Sequence, residues 1–257
     1  MAKSRAESKG RAAPPLPSEP ALGGYYHWAR DPAVGLFAVL PLWLLYEGLR
    51  LSLVPSERNG AEVLLLRELQ RVGPYGLLVV RVLLGVLMVV AARSLVRRQV
   101  PWLRVAAVLA LEGTVYGLLL GPIAGNLAAS AARVLAVAVP GDSMVANLVG
   151  SLGAGIFEEL VFRLGLMSAL VWIGMRAVRA WALPAPVAAG IVGSFAVVVS
   201  AVVFSWFHHF CGEAYDPARF LYRTVAGVLL GVLMWARGFG VCVYTHAFYD
   251  LHYYLTH

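Results

Sequence analysis

Apolar stretches long enough to cross a lipid bilayer follow one another through most of this 257-residue chain. Hydrophobic residues make up 60% of the sequence and charged residues only 14%. A soluble domain has about 25% charged residues, and a chain with so few polar groups cannot cover a water-soluble globule. The sequence therefore predicts an all-α polytopic membrane protein, because helices satisfy every backbone hydrogen bond within lipid.

The apolar stretches predict a bundle of about seven or eight transmembrane helices, since each span needs about 20 apolar residues. The candidate spans are Ala33–Leu49, Tyr75–Ala92, Val105–Leu120, Leu127–Val139, Ser143–Gly174, Pro184–Phe207, Phe220–Ala236 and Val241–Leu255. The stretch Leu127–Val139 is short, which favours an interfacial or re-entrant helix. The stretch Ser143–Gly174 is too long for one untilted span, so we expect it to bend or divide. These runs do not alternate as the strands of an outer-membrane barrel do.

The chain divides by composition into three predicted regions. Residues 1–22 are basic, contain Ser, Ala and Pro, and have no apolar run, which predicts a disordered tail. No apolar core follows the charged start, so the tail does not resemble a signal peptide. Residues 23–140 are predicted to form the N-terminal transmembrane helices. Residues 141–257 are predicted to form a second membrane core, which carries the polar motifs.

The formal net charge of +7 comes from basic residues scattered between apolar runs. This distribution favours the positive-inside rule over nucleic-acid binding. Two groups of basic residues indicate cytoplasmic segments: Lys3, Arg5, Lys9, Arg11 and Arg30 near the N-terminus, and Arg93, Arg97, Arg98 and Arg104 between the second and third spans. We therefore predict a multi-pass protein of the plasma (inner) membrane with a cytoplasmic N-terminus.

Ionisable residues are concentrated in three short motifs of the C-terminal half. The motifs are Glu158-Glu159-x-x-x-Arg163, Phe204-x-x-x-His208 and His246-x-x-x-Asp250. An ionisable group at membrane depth costs roughly 2.5–3.5 kcal/mol on insertion scales, so we expect the three motifs to meet in one polar site. An i,i+4 spacing places two side chains on one helix face. It relates Phe204 to His208, His246 to Asp250, and Glu159 to Arg163, which form a favourable ion pair.

These residue types suit hydrolysis without a covalent intermediate. Glu158 has no cation on its own helix face, and a carboxylate in a partly dry site suits a general base. Glu158 and His208 are therefore predicted to polarise a water molecule. His246 and Asp250 are predicted to stabilise the oxyanion that forms when this water attacks a peptide carbonyl.

The sequence offers no obvious covalent nucleophile. A Gly-x-Ser-x-Gly elbow is absent, and neither Cys211 nor Cys242 lies in a recognisable nucleophile motif. Arg163 is expected to keep Glu159 ionised and the helix in register.

The three motifs, in this order on membrane helices, resemble the CPBP family of CAAX proteases and bacteriocin-processing enzymes, also called the ABI family. The resemblance covers about residues 143–255. It implies a helical intramembrane glutamic endopeptidase without a cofactor or metal, in which Glu158 and His208 activate water. It also implies that His246 and Asp250 bind the oxyanion.

The family also suggests the substrate class, namely a membrane protein or a lipid-modified or C-terminally anchored protein. Its members include CAAX-processing enzymes, bacteriocin self-immunity proteins and sorting-type enzymes such as the myxosortases, and this chain resembles the bacterial members. CAAX-processing members usually have Asn where this chain has Asp250. Because an ionised Asp cannot donate a hydrogen bond to an oxyanion, we expect Asp250 to keep His246 cationic and oriented.

Three other functions use the same residues. A zinc protease would bind metal through Glu158, His208 and His246, but the sequence has no His-Glu-x-x-His helix. A proton-coupled transporter would show an internal repeat, and no second Glu-Glu-x-x-x-Arg segment is present. A non-catalytic scaffold or immunity protein would tolerate Glu158→Gln, whereas a protease would not.

Three further predictions concern structure. Arg81 and Glu112 interrupt neighbouring apolar runs and are expected to pair between two helices. His209 follows the second motif directly and is expected to face away from the site. The small residues of 150–155 superficially resemble a nucleotide loop, but their spacing favours tight helix packing.

Overall fold

The computed structural model describes residues 23–51, 75–129, 144–210 and 214–256, together with a few positions between 67 and 73. Within these residues, all regular structure is helical, which confirms the predicted all-α class. The predicted disordered tail (residues 1–22), most of the short stretch Leu127–Val139 and Cys211 lie outside the described residues. The division of the chain near residue 140 remains a prediction.

The helices are numbered here in chain order. They are α1 (Gly23–Ala29), α2 (Pro32–Arg50), α3 (Gly76–Arg97), α4 (Trp102–Ala129), α5 (Met144–Gly153), a π-helix (Ala154–Met167), α6 (Ser168–Ala177), a 3₁₀ turn (Val178–Trp181), α7 (Ala185–Phe210), α8 (Pro217–Arg237) and α9 (Phe239–Thr256). Among the described residues, α2, α4, α7 and α8 are long and apolar enough to cross a membrane. The chain is thus an all-α, multi-pass membrane protein, and the other predicted spans remain predictions.

The long stretch Ser143–Gly174 divides by a change of hydrogen-bonding pattern. The backbone stays helical through Gly153 (φ −62°, ψ −45°) and Met167 (φ −61°, ψ −42°), where α5 passes into the π-helix and the π-helix into α6. A π-helix has i→i+5 hydrogen bonds and occurs frequently at functional sites. The polar motif of this stretch, with Glu158, lies within the π-helix.

Helix α9 lies in the interior of the bundle, and its residues 241–247 are all buried. Helix α4 approaches it closely through glycines. A Cβ atom on Gly113 would lie 2.4 Å from the Cβ atom of Tyr244, and one on Gly117 would lie 2.8 Å from the carbonyl oxygen of Thr245. Side chains at these two positions would therefore separate α4 from the helix that carries the third motif.

Glu112 has a partner on another helix that the sequence did not predict. Arg237, the last residue of α8, donates from Nε and Nη2 to the two carboxylate oxygens of Glu112, and both distances are 2.6 Å. The hydroxyl of Tyr25 donates to the same carboxylate. Arg237 is distant in sequence but adjacent in the bundle, and the predicted pair of Glu112 with Arg81 stays a prediction. The side chain of Arg81 is outside the described set.

One polar contact fixes the start of α2. The carboxylate of Asp31 caps the helix by accepting from the backbone N–H of Ala33 at 2.9 Å and of Val34 at 3.3 Å. Arg98, which follows α3, pairs with the same carboxylate. Its hydrogen bond holds the pKa of Asp31 below the ordinary carboxyl value. Asp31 therefore connects the start of α2 to the end of α3, and it lies outside the membrane-spanning segments.

We expect Asp31→Ala to lower the free energy of unfolding by about 1 kcal/mol, the usual cost of losing an N-cap. Asp31→Asn keeps the capping oxygen and should cost less. Since folding lowers the pKa of Asp31, its contribution is complete above the ordinary carboxyl pKa and declines as the pH falls through the lowered value. Unfolding in detergent, followed by circular dichroism at several pH values, tests this. Equal stability of wild type and Asp31→Ala would contradict it.

Candidate active site

The three sequence motifs meet at one place in the bundle. The π-helix supplies Glu158, Glu159 and Arg163, α7 supplies Phe204 and His208, and α9 supplies His246 and Asp250. The polar groups of the site lie on three different elements, as the cost of isolated charges in lipid led us to expect. Their side chains differ in exposure, from none for Glu159 and Arg163 to 22% for Asp250.

Glu159 is the most completely surrounded carboxylate of the site. One oxygen, Oε1, lies 3.1 Å from Nη1 of Arg163 and 2.7 Å from Nδ1 of His246. The other, Oε2, accepts from the thiol of Cys242 at 2.9 Å. Glu159 therefore joins the π-helix to α9 through two partners in addition to its predicted ion pair.

Arg163 is also fully buried. Its Nη2 donates to the carbonyl oxygen of Gly227 on α8 at 3.3 Å. Its guanidinium carbon lies 4.4 Å from the centre of the Phe204 ring, a cation–π contact with α7. A single arginine thus contacts α7 and α8 while it balances the charge of Glu159.

Glu158 faces two histidines from two helices. Its Oε2 lies 3.8 Å from Nε2 of His208 and 3.9 Å from Nε2 of His246. These distances exceed direct hydrogen bonds, and a water molecule is a suitable bridge between groups at such a separation. Glu158 is 5% exposed, so its carboxylate is almost entirely enclosed by protein.

The backbone of α7 sets the orientation of His208. Its Nδ1 lies 3.0 Å from the carbonyl oxygen of Phe204, one turn earlier. A carbonyl oxygen only accepts, so the proton of the neutral ring is assigned to Nδ1. The lone pair of Nε2 is then directed towards Glu158.

The ring of His246 is fixed from the opposite side. Its Nδ1 donates to Oε1 of Glu159, and its Nε2 lies 3.9 Å from Glu158 and 3.7 Å from Oδ2 of Asp250. The sequence suggested that Asp250 orients this histidine. The short contact is instead made by Glu159, which reaches Nδ1 from another helix, while Asp250 faces Nε2 on the same helix.

Cys242 was not singled out from the sequence, although it belongs to this site. It lies four residues before His246 on α9 and is fully buried. The shared helix face was the available signal, but a lone cysteine in an apolar helix is more often a packing residue. His209 behaves as expected, since its ring packs among Trp206, Tyr215 and Phe220.

No group of three His, Cys, Asp or Glu side chains in the described part of the chain is arranged to hold a metal ion. Glu158, His208 and His246 approach one another without forming such a group.

Comparison with known protein families adds a match to this part of the chain. Residues 140–252 match the model of the family described as type II CAAX prenyl endopeptidase Rce1-like. Residues 140–252 are thus similar to CPBP-family proteins. The matched segment contains all three motifs, and its similarity to a family of membrane proteases supports a peptidase of the CAAX-protease type with a protein substrate. No curated protein and no solved structure gave a match.

Proposed function

We propose that this protein is a glutamate-dependent intramembrane endopeptidase in which Glu158 and His208 activate the attacking water. The observation that carries this proposal is the position of the Glu158 carboxylate, 3.8 Å from Nε2 of His208 and 3.9 Å from Nε2 of His246. One histidine has a lone pair directed to the carboxylate, and the other is held by a second glutamate.

The chemistry begins with a water molecule hydrogen-bonded to Glu158 and to Nε2 of His208. Glu158 takes a proton from this water as its oxygen bonds to the carbonyl carbon of the scissile peptide. The tetrahedral intermediate then collapses, the carbon–nitrogen bond breaks, and the proton passes from Glu158 to the departing amine. The products are a new carboxyl terminus and a new amino terminus.

His246 serves the negative oxygen of the intermediate. With both ring nitrogens protonated, it donates from Nδ1 to Glu159 and from Nε2 to the oxyanion. Glu159 and Arg163 are positioning residues, since they hold the ring. Asp250, 3.7 Å from Nε2, stabilises the positive charge on His246 in this scheme.

The substrate we propose is a protein with a scissile bond near or within the membrane, and cleavage removes a C-terminal or membrane-associated segment. A site enclosed by membrane helices favours a lipid-modified, C-terminally anchored or membrane protein over a soluble one. We further propose that the protein resides in the cell membrane with its N-terminus in the cytoplasm.

The experiment that tests this function compares protein termini in the native host. One strain carries the wild-type protein and the other carries Glu158→Gln at equal membrane abundance. A protease predicts a small set of proteins that keep an uncleaved segment only in the variant strain. Identical termini in the two strains would reject the protease proposal in favour of a scaffold.

Gly155 offers a test of how closely the π-helix must approach α9. A Cβ atom here would lie 2.7 Å from Cβ of Ala247 and 2.8 Å from the carbonyl oxygen of Val243. Gly155→Ala should displace Glu158 from His246 and lower the cleavage rate on the order of 10²-fold, the effect of misplacement by about 1 Å. Gly150 is the matched control, because a Cβ atom there meets nothing within 4 Å. Equal loss in both variants would contradict the argument.

Asp250 can be tested with the amide that CAAX-processing members carry. Asp250→Asn should keep cleavage within about tenfold of wild type, because the amide N–H can itself donate to the oxyanion. Asp250→Leu, which has neither charge nor donor, should lose much more. The measurement is the rate of cleavage of a substrate found by the termini comparison. Equal rates for Asp250→Leu and wild type would exclude Asp250 from the site chemistry.

A further inference from the structure

The ends of the helices define two ends of the bundle. Nε of Arg30, just before α2, donates to the carbonyl oxygen of Ala236 at the end of α8. Asp31 pairs with Arg98 at the end of α3, and Gly35 packs against Gly240 at the start of α9. The start of α2, the end of α3, the end of α8 and the start of α9 therefore share one end, which we call the arginine end.

The end of α6 and the start of α4 lie at the same end. Arg176 and Arg179 line a cavity of about 510 Å³ together with Met234 and Trp235 of α8. The ring of Trp102, the first residue of α4, packs against Phe37 of α2. The start of α7 also lies at this end, because Val178, which directly follows α6, packs with Ala188 and Val192 of α7.

Arginine is strongly concentrated at this end. The residues within three positions of a helix end here are Arg30, Arg97, Arg98, Arg104, Arg176, Arg179 and Arg237. At the opposite end of the described helices, the arginines within three positions of a helix end are Arg50 and Arg219. Arg50 pairs with Glu47 at 2.6 Å, and Arg219 pairs with Asp216 at 3.8 Å. The sequence between α2 and α3 adds Arg58, Arg67 and Arg71 to the opposite side, and the sequence between α4 and α5 adds Arg133. The N-terminal tail, which precedes α1, adds Lys3, Arg5, Lys9 and Arg11 to the arginine side.

The positive-inside rule counts Lys and Arg in short connections and near the ends of spans. By that rule, the arginine end faces the cytoplasm. This assignment gives an orientation to the helices after residue 140 as well.

The candidate active site lies towards the other end. His208 is two residues from the last residue of α7 and roughly 34 Å along the helix from Ala185, at a rise of 1.5 Å per residue. The side chains of His208 and Asp250 are 19% and 22% exposed, whereas those of Glu159 and Arg163 are not exposed at all. The exposed members belong to the C-terminal halves of α7 and α9, so the site opens away from the arginine end.

From these positions we infer that the active site opens to the side of the membrane opposite the cytoplasm. Resting on the proposed function, this assigns its substrates to exported or membrane proteins whose scissile bond lies at the outer surface. A protein anchored by a C-terminal segment after export has this form. A substrate modified at its C-terminus in the cytoplasm would meet the end of the bundle that lies away from the site.

The experiment uses two matched alanines as cysteine probes in the full-length protein. Ala180 lies in the 3₁₀ turn beside Arg179, and Ala214 lies just before α8, close to the end of α7; both are exposed. Cys211 is replaced by Ala to remove a second reactive thiol near Ala214. Cys242 is kept, because it is buried and its thiol donates a hydrogen bond to Glu159. A membrane-impermeant maleimide is added to spheroplasts before and after lysis.

We expect Ala214→Cys to react in intact spheroplasts and Ala180→Cys to react only after lysis. The reverse pattern, or reaction of both before lysis, would overturn the inference. The labelling does not depend on catalysis and is repeated with Glu158→Gln. Reversed labelling would overturn the orientation but leave the protease proposal standing, provided that the Glu158→Gln strain keeps uncleaved segments. The expected labelling without uncleaved segments would reject the protease proposal alone.

Discussion

Glu158→Gln is expected to abolish measurable cleavage while the protein folds and inserts normally. The glutamine keeps the shape of the side chain but cannot take a proton from water, and general-base catalysis typically contributes about 10²–10⁴-fold. His208→Ala should cause a loss of similar size. Because both residues act on the same water, the double variant should be little worse than either single variant. The measurement is the cleavage rate per folded molecule.

The control for this prediction is another pair of polar residues in the bundle. Glu112→Gln removes the negative charge that contacts Arg237. Glu112 lies on α4, which carries none of the three motifs. It should affect stability more than the cleavage rate of folded molecules. Full activity of Glu158→Gln would show that the catalytic assignment is wrong.

Arg163→Ala is expected to have the largest effect on stability. Removal of one partner of a buried ion pair leaves an uncompensated charge and costs about 3–5 kcal/mol. Here the remaining carboxylate is Glu159, which like Arg163 has no exposed side-chain surface and would keep only His246 and Cys242 as partners. The contacts of Arg163 with Gly227 and the Phe204 ring would be lost as well. Low membrane abundance and a lowered unfolding temperature in detergent are the expected readouts.

A second substitution separates the charge from the packing. If the penalty arises from buried Glu159, then Arg163→Ala combined with Glu159→Gln should regain part of the lost stability, because the buried charge that has lost its arginine is gone. Activity should stay low, since His246 loses its carboxylate partner. A double variant less stable than Arg163→Ala alone would contradict the electrostatic explanation.

Much of this site was predictable because membrane burial restricts where charges occur. The three motifs, their i,i+4 spacing and the pair between Glu159 and Arg163 follow from sequence, and the structure brings these residues together. Such predictions succeed when the partners lie on one helix, where the spacing fixes the geometry. The roles of the individual residues in catalysis remain proposals.

Contacts between helices were harder to predict. The bonds of Glu159 with His246 and Cys242 depend on how the π-helix is rotated against α9, which no local pattern encodes. The same limit explains Glu112, whose partner is Arg237 at the end of a distant helix. The π-helix itself was also missed, since its residues have an ordinary apolar pattern.

Glycine packing was predicted only in part. The small residues of 150–155 were interpreted as a packing surface, and Gly155 does touch α9. In the same run, a Cβ atom on Gly150 would meet nothing within 4 Å. The two positions differ in the direction they face, which depends on the neighbouring helix and not on the spacing alone.

The most direct test of the central claim is a single-turnover cleavage reaction in ¹⁸O-labelled water. Purified wild-type protein and Glu158→Gln are each mixed in excess with a substrate taken from the termini comparison. Direct attack by activated water predicts that the new carboxyl terminus carries one ¹⁸O atom with wild type, and that Glu158→Gln gives no product. Unlabelled product, ¹⁸O in the side chain of Glu158, or equal cleavage by the two proteins would contradict the account.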